Sequence, residues 1–357
     1  MGIHVFTSIS LNYLPKARAL AMSLKKIHPN WIFHLLIADD LADSNLNSNK
    51  IIFNEDYFDR VTWIKDLKID NIDQWVFKHN IVELCTAIKG IYLLQLMEEG
   101  IAKVIYLDPD IYVLNCLDML PELLNDHAIL LTPHLLDYPH NYQSIIDNEV
   151  MSVLRHGVFN LGFFAVNTEK YDGQAFTHWW KSRLTEYCYA DFEHGLFTDQ
   201  KWCDLIPSYF TDYYVIRDPG FNVASWNLEK RNISLSDNGQ ILVNEKYPLR
   251  FYHFTGYDSG IGKIMTQRYS SNALVNDIWS LYYRELEKHE QAIFERRKIY
   301  YNFYDNGIAV DEKARKIYRE RKDLQDAFPN PYKTKDNAGK YAGGFYNWYN
   351  EHKPISS

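Results

Sequence analysis

Within its first forty residues the chain runs from an apolar segment, Ile3 to Ser8, to a second apolar segment, Trp31 to Ala38, which closes in Asp39-Asp40. Between them, Asn12-Tyr13-Leu14-Pro15 opens a helical stretch with Ala17, Leu20, Ala21 and Leu24 on one face. Strand, helix, strand at this spacing is the opening of a parallel sheet, and a parallel sheet must be covered on both faces. The expected class is therefore α/β. At 357 residues and 46% hydrophobic content the chain can build one large α/β domain with an accessory element, or two modest domains.

Residues 43–75 read as irregular and polar. Phe77 to Glu99 then reads as one long amphipathic helix, with Ile81, Leu84, Cys85, Ile88, Tyr92 and Leu96 at helical spacing and Gly100 closing it. A strand follows at 104–107, a short helix carries Leu117, Leu120, Leu123 and Leu124, and Ala128 to Thr132 is a further strand leading into a loop from Pro133 to about Asn148. Val158 to Asn167 is a strand with Gly162 inside it. A Trp-rich helix is expected from about Gly173 to Tyr189, another helix over 198–206, and a last short strand from Arg250 to Phe254. Beyond about Asn276 the pattern turns helical and rich in Tyr and Arg. The division read from this pattern is a domain at 1–275 and a helical extension at 276–357.

The net charge of −8 argues against a nucleic-acid binder that works by counterion release. Charge is uneven: residues 281–357 hold 15 Lys/Arg against 12 Asp/Glu, so the extension is basic and the body acidic. A basic, aromatic extension suits either a helical cap over the core or contact with an anionic membrane or a lipid-linked diphosphate. Cys85, Cys116, Cys188 and Cys203 show neither a C-x-x-C pair nor zinc spacing, which favours reduced thiols. No leader-like or membrane-spanning apolar stretch is visible. The expected location is cytoplasmic, with the inner face of the membrane as the site of any lipid contact.

The stretch richest in chemistry is Lys103 to Leu114, where Asp108 and Asp110 follow the apolar run Val104-Ile105-Tyr106-Leu107. Pro109 has no N–H for a ladder, so the strand should stop there and leave both carboxylates at its carboxyl end, the edge where open α/β sheets bind ligands. Two such carboxylates can hold a hard divalent cation with positions left for phosphate oxygens. A polar turn is the plain alternative, since a lone Asp-x-Asp is expected about once by chance in a chain this acidic. His253, closing a short strand, can add an imidazole ligand, a mixture that suits Mn²⁺ better than Mg²⁺; the alternative is a hydrogen-bonded structural histidine. Gly256, Gly260 and Gly262 permit close backbone approach, and Lys263 is placed to neutralise a phosphate or to lie in solvent. Asp199 and Gln200 precede an apolar segment, as a helix cap also would. Asn160 with Gly162 offers an amide for a sugar or acceptor hydroxyl, while the glycine marks either close approach of a ligand or simple packing.

In order and content these segments resemble the GT-A-fold glycosyltransferases, in particular glycosyltransferase family 8 and related bacterial surface-polysaccharide enzymes. Tyr106 to Asp110 looks like the family's Tyr-Leu-Asp-x-Asp metal motif, Phe159 to Gly162 like its Phe-Asn-x-Gly strand, Asp199-Gln200 like its Asp-Gln pair, and His253 to Gly256 like its His-x-x-Gly motif. The resemblance covers roughly residues 1–265. It implies a mixed, Rossmann-like sheet flanked by helices with a helical C-terminal extension. It also implies Mn²⁺, with Mg²⁺ as the alternative, held by Asp108, Asp110 and His253, and a nucleotide-sugar donor, UDP-linked by preference.

By the same resemblance Thr7, Ser8 and Tyr13 would hold base and ribose, Lys89 would face the donor, and Asp199 and Gln200 would lie at the reacting sugar. The acceptor would be a saccharide or a lipid-linked saccharide, and the anomeric configuration would be retained, with an inverting route through Asp199, Asp218 or Asp258 as the other option. Two departures stand out. The family's Lys-Pro-Trp is replaced by Tyr257 to Lys263, and its base-binding loop carries an Asp where this chain has Ser10-Leu11-Asn12. Two rival classes share parts of this pattern. A sugar-1-phosphate nucleotidyltransferase needs a Gly-rich, basic loop after the first strand, which residues 7–16 lack. A non-catalytic carbohydrate-binding protein would use the 27 tyrosines and 9 tryptophans without the ordered acidic motifs.

Overall fold

The structure is a computed structural model and describes residues 2–40, 57–335 and 344–352. Its centre is a seven-stranded mixed sheet built from β1 (Ile3–Ile9), β2 (Ile32–Ile37), β3 (Arg60–Trp63), β4 (Lys103–Leu107), β6 (Ile129–Pro133), β7 (Phe159–Asn167) and β8 (Tyr213–Val215). The spatial order is β3-β2-β1-β4-β7-β6-β8. Strands β3, β2, β1 and β4 run parallel, β7 is antiparallel to β4 and β6, and β8 is parallel to β6. This is the mixed α/β sheet flanked by helices that the sequence led one to expect.

Side chains alternate across it. Val5, Ile105 and Phe163 enter one apolar layer with the first helix (Leu14–Ile27); Phe6, Tyr106 and Phe164 enter the other, under the helices Ile81–Glu98 and Tyr171–Tyr187. Those two helices cross closely at Gly90, where an added Cβ would lie 2.9 Å from the Cα of Lys181. The chain leaves β1 toward β2 on one side, while β4 joins β1 on the other. The carboxyl ends of β1 and β4 therefore meet at a switch point, which opens a crevice.

A small second sheet completes that crevice. After Asp108-Pro109-Asp110, β5 (Ile111–Val113) leaves the main sheet and pairs antiparallel with β13 (Phe251–His253), which also pairs in parallel with β9 (Val223–Ala224). Strands β10 (Ile233–Leu235), β11 (Ile241–Val243) and β12 (Tyr247–Pro248) form an antiparallel flap beside it. The helix Ala273–Lys288 lays Trp279, Tyr282 and Leu286 against Tyr252 and Phe254, so it backs the strand that carries His253. Farther on, Tyr304, Tyr318, Phe328, Phe345 and Tyr349 gather around Phe77. There the buried Arg315 guanidinium donates to the carbonyls of Phe77, His79 and Tyr301 at 3.0, 2.7 and 2.6 Å, which docks the extension on the sheet's helical layer.

Several expectations need correction. The long helix from Phe77 is two helices, Ile72–Phe77 and Ile81–Glu98, because Asn80 and Glu83 form a reciprocal capping box that starts the second one afresh. The stretch read as irregular, 43–75, contains β3 and the start of the helix Ile72–Phe77; its residues 43–56 lie outside the described residues. The loop read at 133–148 gives way at Tyr142 to a helical turn that widens into a π-helix over Ile145–Leu154. Residues 198–206 hold two short helices, Gln200–Cys203 and Ile206–Tyr209. Among the described residues no helix is long and apolar enough to cross a membrane.

Candidate active site

The crevice is a cleft of about 1360 Å³. Asp108-Pro109-Asp110, the three residues between β4 of the main sheet and β5 of the small one, carry the carboxylates from one sheet to the other. The backbone fixes this turn: Asp108 N–H donates to Gly162 O at 2.8 Å, and Phe254 N–H donates to Asp110 O at 2.8 Å. The second bond and the pairing of Ile111 with His253 bring the imidazole over the turn. Asp108, Asp110 and His253 each offer a ligand atom, and these atoms all lie within 4.8 Å of one another. His253 Nε2 is 3.1 Å from Asp110 Oδ1 and 3.8 Å from Asp108 Oδ2.

The protonation of that imidazole follows from a chain of hydrogen bonds anchored on the backbone. Gly162 N–H donates to Asn160 Oδ1 at 3.2 Å, which identifies that atom as an acceptor. Asn222 Nδ2 donates to the same oxygen at 2.9 Å and to Thr132 Oγ1 at 3.1 Å, so Asn222 must turn its carbonyl the other way. There, at 3.1 Å, it accepts from His253 Nδ1. The proton therefore sits on Nδ1, and Nε2 faces two carboxylates. A lone pair 3.1 Å from a carboxylate oxygen calls for a positive charge between them, either a second proton or a bound cation. Burial disfavours the charged imidazole, but the Asp110 and Asp108 carboxylates outweigh it and raise the His253 pKa above the usual histidine value. Burial likewise works against the Asp110 carboxylate, and the charged imidazole more than compensates, which lowers its pKa.

Gly162 has a direct reason to be glycine. A Cβ there would fall 2.4 Å from His253 Cε1, so the close approach marked by this residue is that of the imidazole itself. Gly256, at φ 70°, packs on Gly262 N in the same way, with a Cβ-to-nitrogen distance of 2.8 Å.

On the opposite wall Lys89 reaches out of the helix Ile81–Glu98 to Asp199 Oδ2 at 3.0 Å and Asp108 Oδ1 at 3.4 Å. Burial opposes its charge, but these two carboxylates prevail and raise its pKa. Asp199 is itself buried, which raises its pKa against the attraction of Lys89. The residue before it, Thr198, holds φ 42°, a costly conformation for a β-branched side chain and one that aims Asp199 inward. Gln200 accepts from Leu161 N–H at 3.1 Å and donates to His156 O at 3.1 Å, so its amide is clamped between the backbone of β7 and the end of the helical segment before it, at the cleft wall.

Of the residues picked out from sequence, Ser8, Tyr13, Lys89, Asp108, Asp110, Asn160, Gly162, Asp199, Gln200, His253 and Gly256 all line this cleft. Ser8 donates to Cys85 O at 2.6 Å. Thr7 is fully buried in β1 and lies off the cleft wall. Lys263 is exposed, 5.5 Å from the Tyr283 ring centroid, and also lies off the wall. Asp258, named from sequence as an alternative base, also lines the cleft, whereas sequence reasoning missed Asn222 and the buried Lys16. It also missed Gln291, Glu295 and Arg296, with which the C-terminal extension adds to the cleft.

Two curated Bacillus subtilis proteins resemble the chain, both described as uncharacterised. YfnF is 29% identical over 181 residues, 49% of this chain and 57% of that protein; YfnD is 32% identical over 105 residues, 29% and 33%. The matches thus span about half and one third of these relatives. No family model matches. Among solved structures, the galactosyltransferase LgtC in complex with donor and acceptor sugar analogs is 17% identical, with 76% of this chain and 97% of that chain covered and a TM-score of 0.43. Mouse xyloside xylosyltransferase 1 is 14% identical, with 71% and 98% covered and a TM-score of 0.42. The mixed sheet described above stands on its own strand order.

Proposed function

We propose that this chain is a metal-dependent GT-A glycosyltransferase of the family 8 kind. It moves a sugar from a nucleoside-diphosphate sugar, UDP-linked by preference, to a saccharide or lipid-linked saccharide acceptor in bacterial surface glycan synthesis. The observation that supports it most is the convergence of Asp108, Asp110 and an Nδ1-protonated His253 on one point of a large cleft at the sheet's switch point. Two carboxylates and an imidazole nitrogen form a donor set suited to Mn²⁺. Bound there, the cation supplies Lewis-acid stabilisation of the charge that grows on the departing diphosphate.

The chain's own residues do the rest. Asn222 holds the His253 ring in its ligating tautomer, and Tyr106 OH donates to Asp108 Oδ1 at 2.6 Å, which fixes that carboxylate. Asp199 presents its carboxylate to an anomeric carbon as it becomes oxocarbenium-like, while Lys89, 3.0 Å away, holds that carboxylate in place. Gln200, clamped at both ends of its amide, sets the floor under that carbon by fixing Leu161 and Asn160. The sequence rival, a nucleotidyltransferase, finds no triphosphate loop here: β1 runs through Ser10 directly into a 3₁₀ turn at Leu11–Tyr13.

The reading is tested by UDP release from a panel of UDP-sugars, with Mn²⁺ and with EDTA, in wild type and Asp110→Asn. Metal-dependent release with a loss of about 10²–10³ in the variant supports it. Equal, EDTA-resistant release in both proteins would defeat it.

A further inference from the structure

Lys16 and Asp258 form an ion pair that the chemistry above does not use. Lys16 lies in the first turn of the helix Leu14–Ile27, its side chain 1% exposed, with Nζ 2.5 Å from Asp258 Oδ2. Tyr13 OH donates to the same oxygen at 2.5 Å, and the ammonium lies 3.7 Å from the Tyr13 ring centroid and 5.2 Å from that of Tyr257. Asp258, by contrast, is 46% exposed. It sits between Gly256 and Gly260, both with left-handed φ, of 70° and 73°. The cation is thus built into the helix, while its counter-ion rides on a loop with a permissive residue at each end.

The exposed half of the pair, Asp258, reaches the cleft that contains the proposed metal cluster. Tyr13, Asp258 and Asp110 line the same cleft, and Lys16 lies buried against Tyr13 and Asp258. A nucleoside diphosphate carries more negative charge than one divalent cation cancels. Lys89 is already committed to two carboxylates, and Lys263 is exposed and not among the lining residues.

We propose that Lys16 binds the donor's diphosphate and that Asp258 is a built-in competitor for it. In the free protein Asp258 holds the ammonium; the arriving diphosphate takes its place as counter-ion, and the Gly256–Gly260 loop moves aside. The inference rests on the reading of the cleft as a nucleoside-diphosphate site.

The test is calorimetric titration of the full chain with UDP in saturating Mn²⁺, on wild type, Asp258→Asn, Lys16→Met and the double variant. Asp258→Asn keeps an acceptor for Tyr13 on an exposed loop and should bind UDP about tenfold more tightly, since the competitor is gone. Lys16→Met should bind about tenfold more weakly, and adding Asp258→Asn to it should change nothing further. Should Lys16→Met fail to fold, the sign of the Asp258→Asn effect decides alone. Unchanged or weaker binding by Asp258→Asn, beside wild-type binding that is lost in Asp108→Asn, would overturn this inference and leave the functional reading intact. A wild type that binds neither UDP nor GDP would overturn both.

Discussion

Lys89 in the cleft wall and Lys16 behind the cleft-lining Asp258 are both buried ammonium groups, yet they are matched in opposite ways. Lys89 faces an aspartate as buried as itself, at 6% and 5% exposed, held by a strained backbone at Thr198. Lys16 faces an aspartate that is nearly half exposed on a glycine-flanked loop. A charge whose partner cannot reach water is locked in place; one whose partner can is free to exchange it. In the proposed reading, one side of the site is a fixed frame for the reacting sugar and the other a gate for the diphosphate.

The stability of two variants puts that contrast at risk most directly. Lys89→Met strands Asp199 in the interior and should cost about 3–5 kcal/mol in urea unfolding at neutral pH. Lys16→Met lets Asp258 rehydrate and should cost about 1 kcal/mol or less. Equal losses would mean that both pairs are structural. On the fixed side, Asn222→Leu removes the acceptor that sets the His253 tautomer, and Mn²⁺ affinity should fall about 10–100-fold with the fold retained. An unchanged metal titration would place the tautomer under some other control.

A smaller effect is expected at Asp39, which anchors the gate's base. Its carboxylate accepts from Leu11 N–H at 3.2 Å and from Tyr300 N–H at 2.8 Å, and so ties the loop after β1 to the C-terminal extension. Burial raises its pKa from 3.8 to about 6, against those hydrogen bonds. The folded protein thus holds this proton more tightly than the unfolded chain, and the Asp39 contribution to stability declines as pH rises from about 4 to about 6. Relative to wild type, Asp39→Asn should gain up to about 3 kcal/mol across that window, read from denaturant midpoints at pH 4 and pH 7. A flat difference would show that the backbone donors keep Asp39 ionised throughout.

The fixed frame was legible in the sequence and the gate was not. Buried runs such as Val104 to Leu107 and Phe163 to Val166 announce central strands, and Asp108 after the first and Asn160 before the second fall where the site forms. Asp108, Asp110 and His253 stand at ends of strands that the hydrophobic pattern places, and Asp199 stood out through the family resemblance. Lys16 gives no such signal, because it shares a helix face with apolar residues and its partner lies 242 positions away. Lys263 was the visible basic residue near the histidine motif, but it falls in the exposed first turn of the helix Ile261–Tyr269. Asn222 was hidden as well: its role depends on a left-handed φ of 51° and on three carboxamide and imidazole groups that only the folded sheet brings together. The Asn80-x-x-Glu83 capping box, by contrast, was written in the sequence and could have split the long helix.

The account turns on whether Asp108, Asp110 and His253 hold a cation that a nucleotide needs. Calorimetric titration with UDP, with and without Mn²⁺, in wild type and Asp110→Asn measures this directly. Binding that requires Mn²⁺ and disappears in Asp110→Asn is the predicted result. UDP binding of equal strength with EDTA present and in the variant would contradict it.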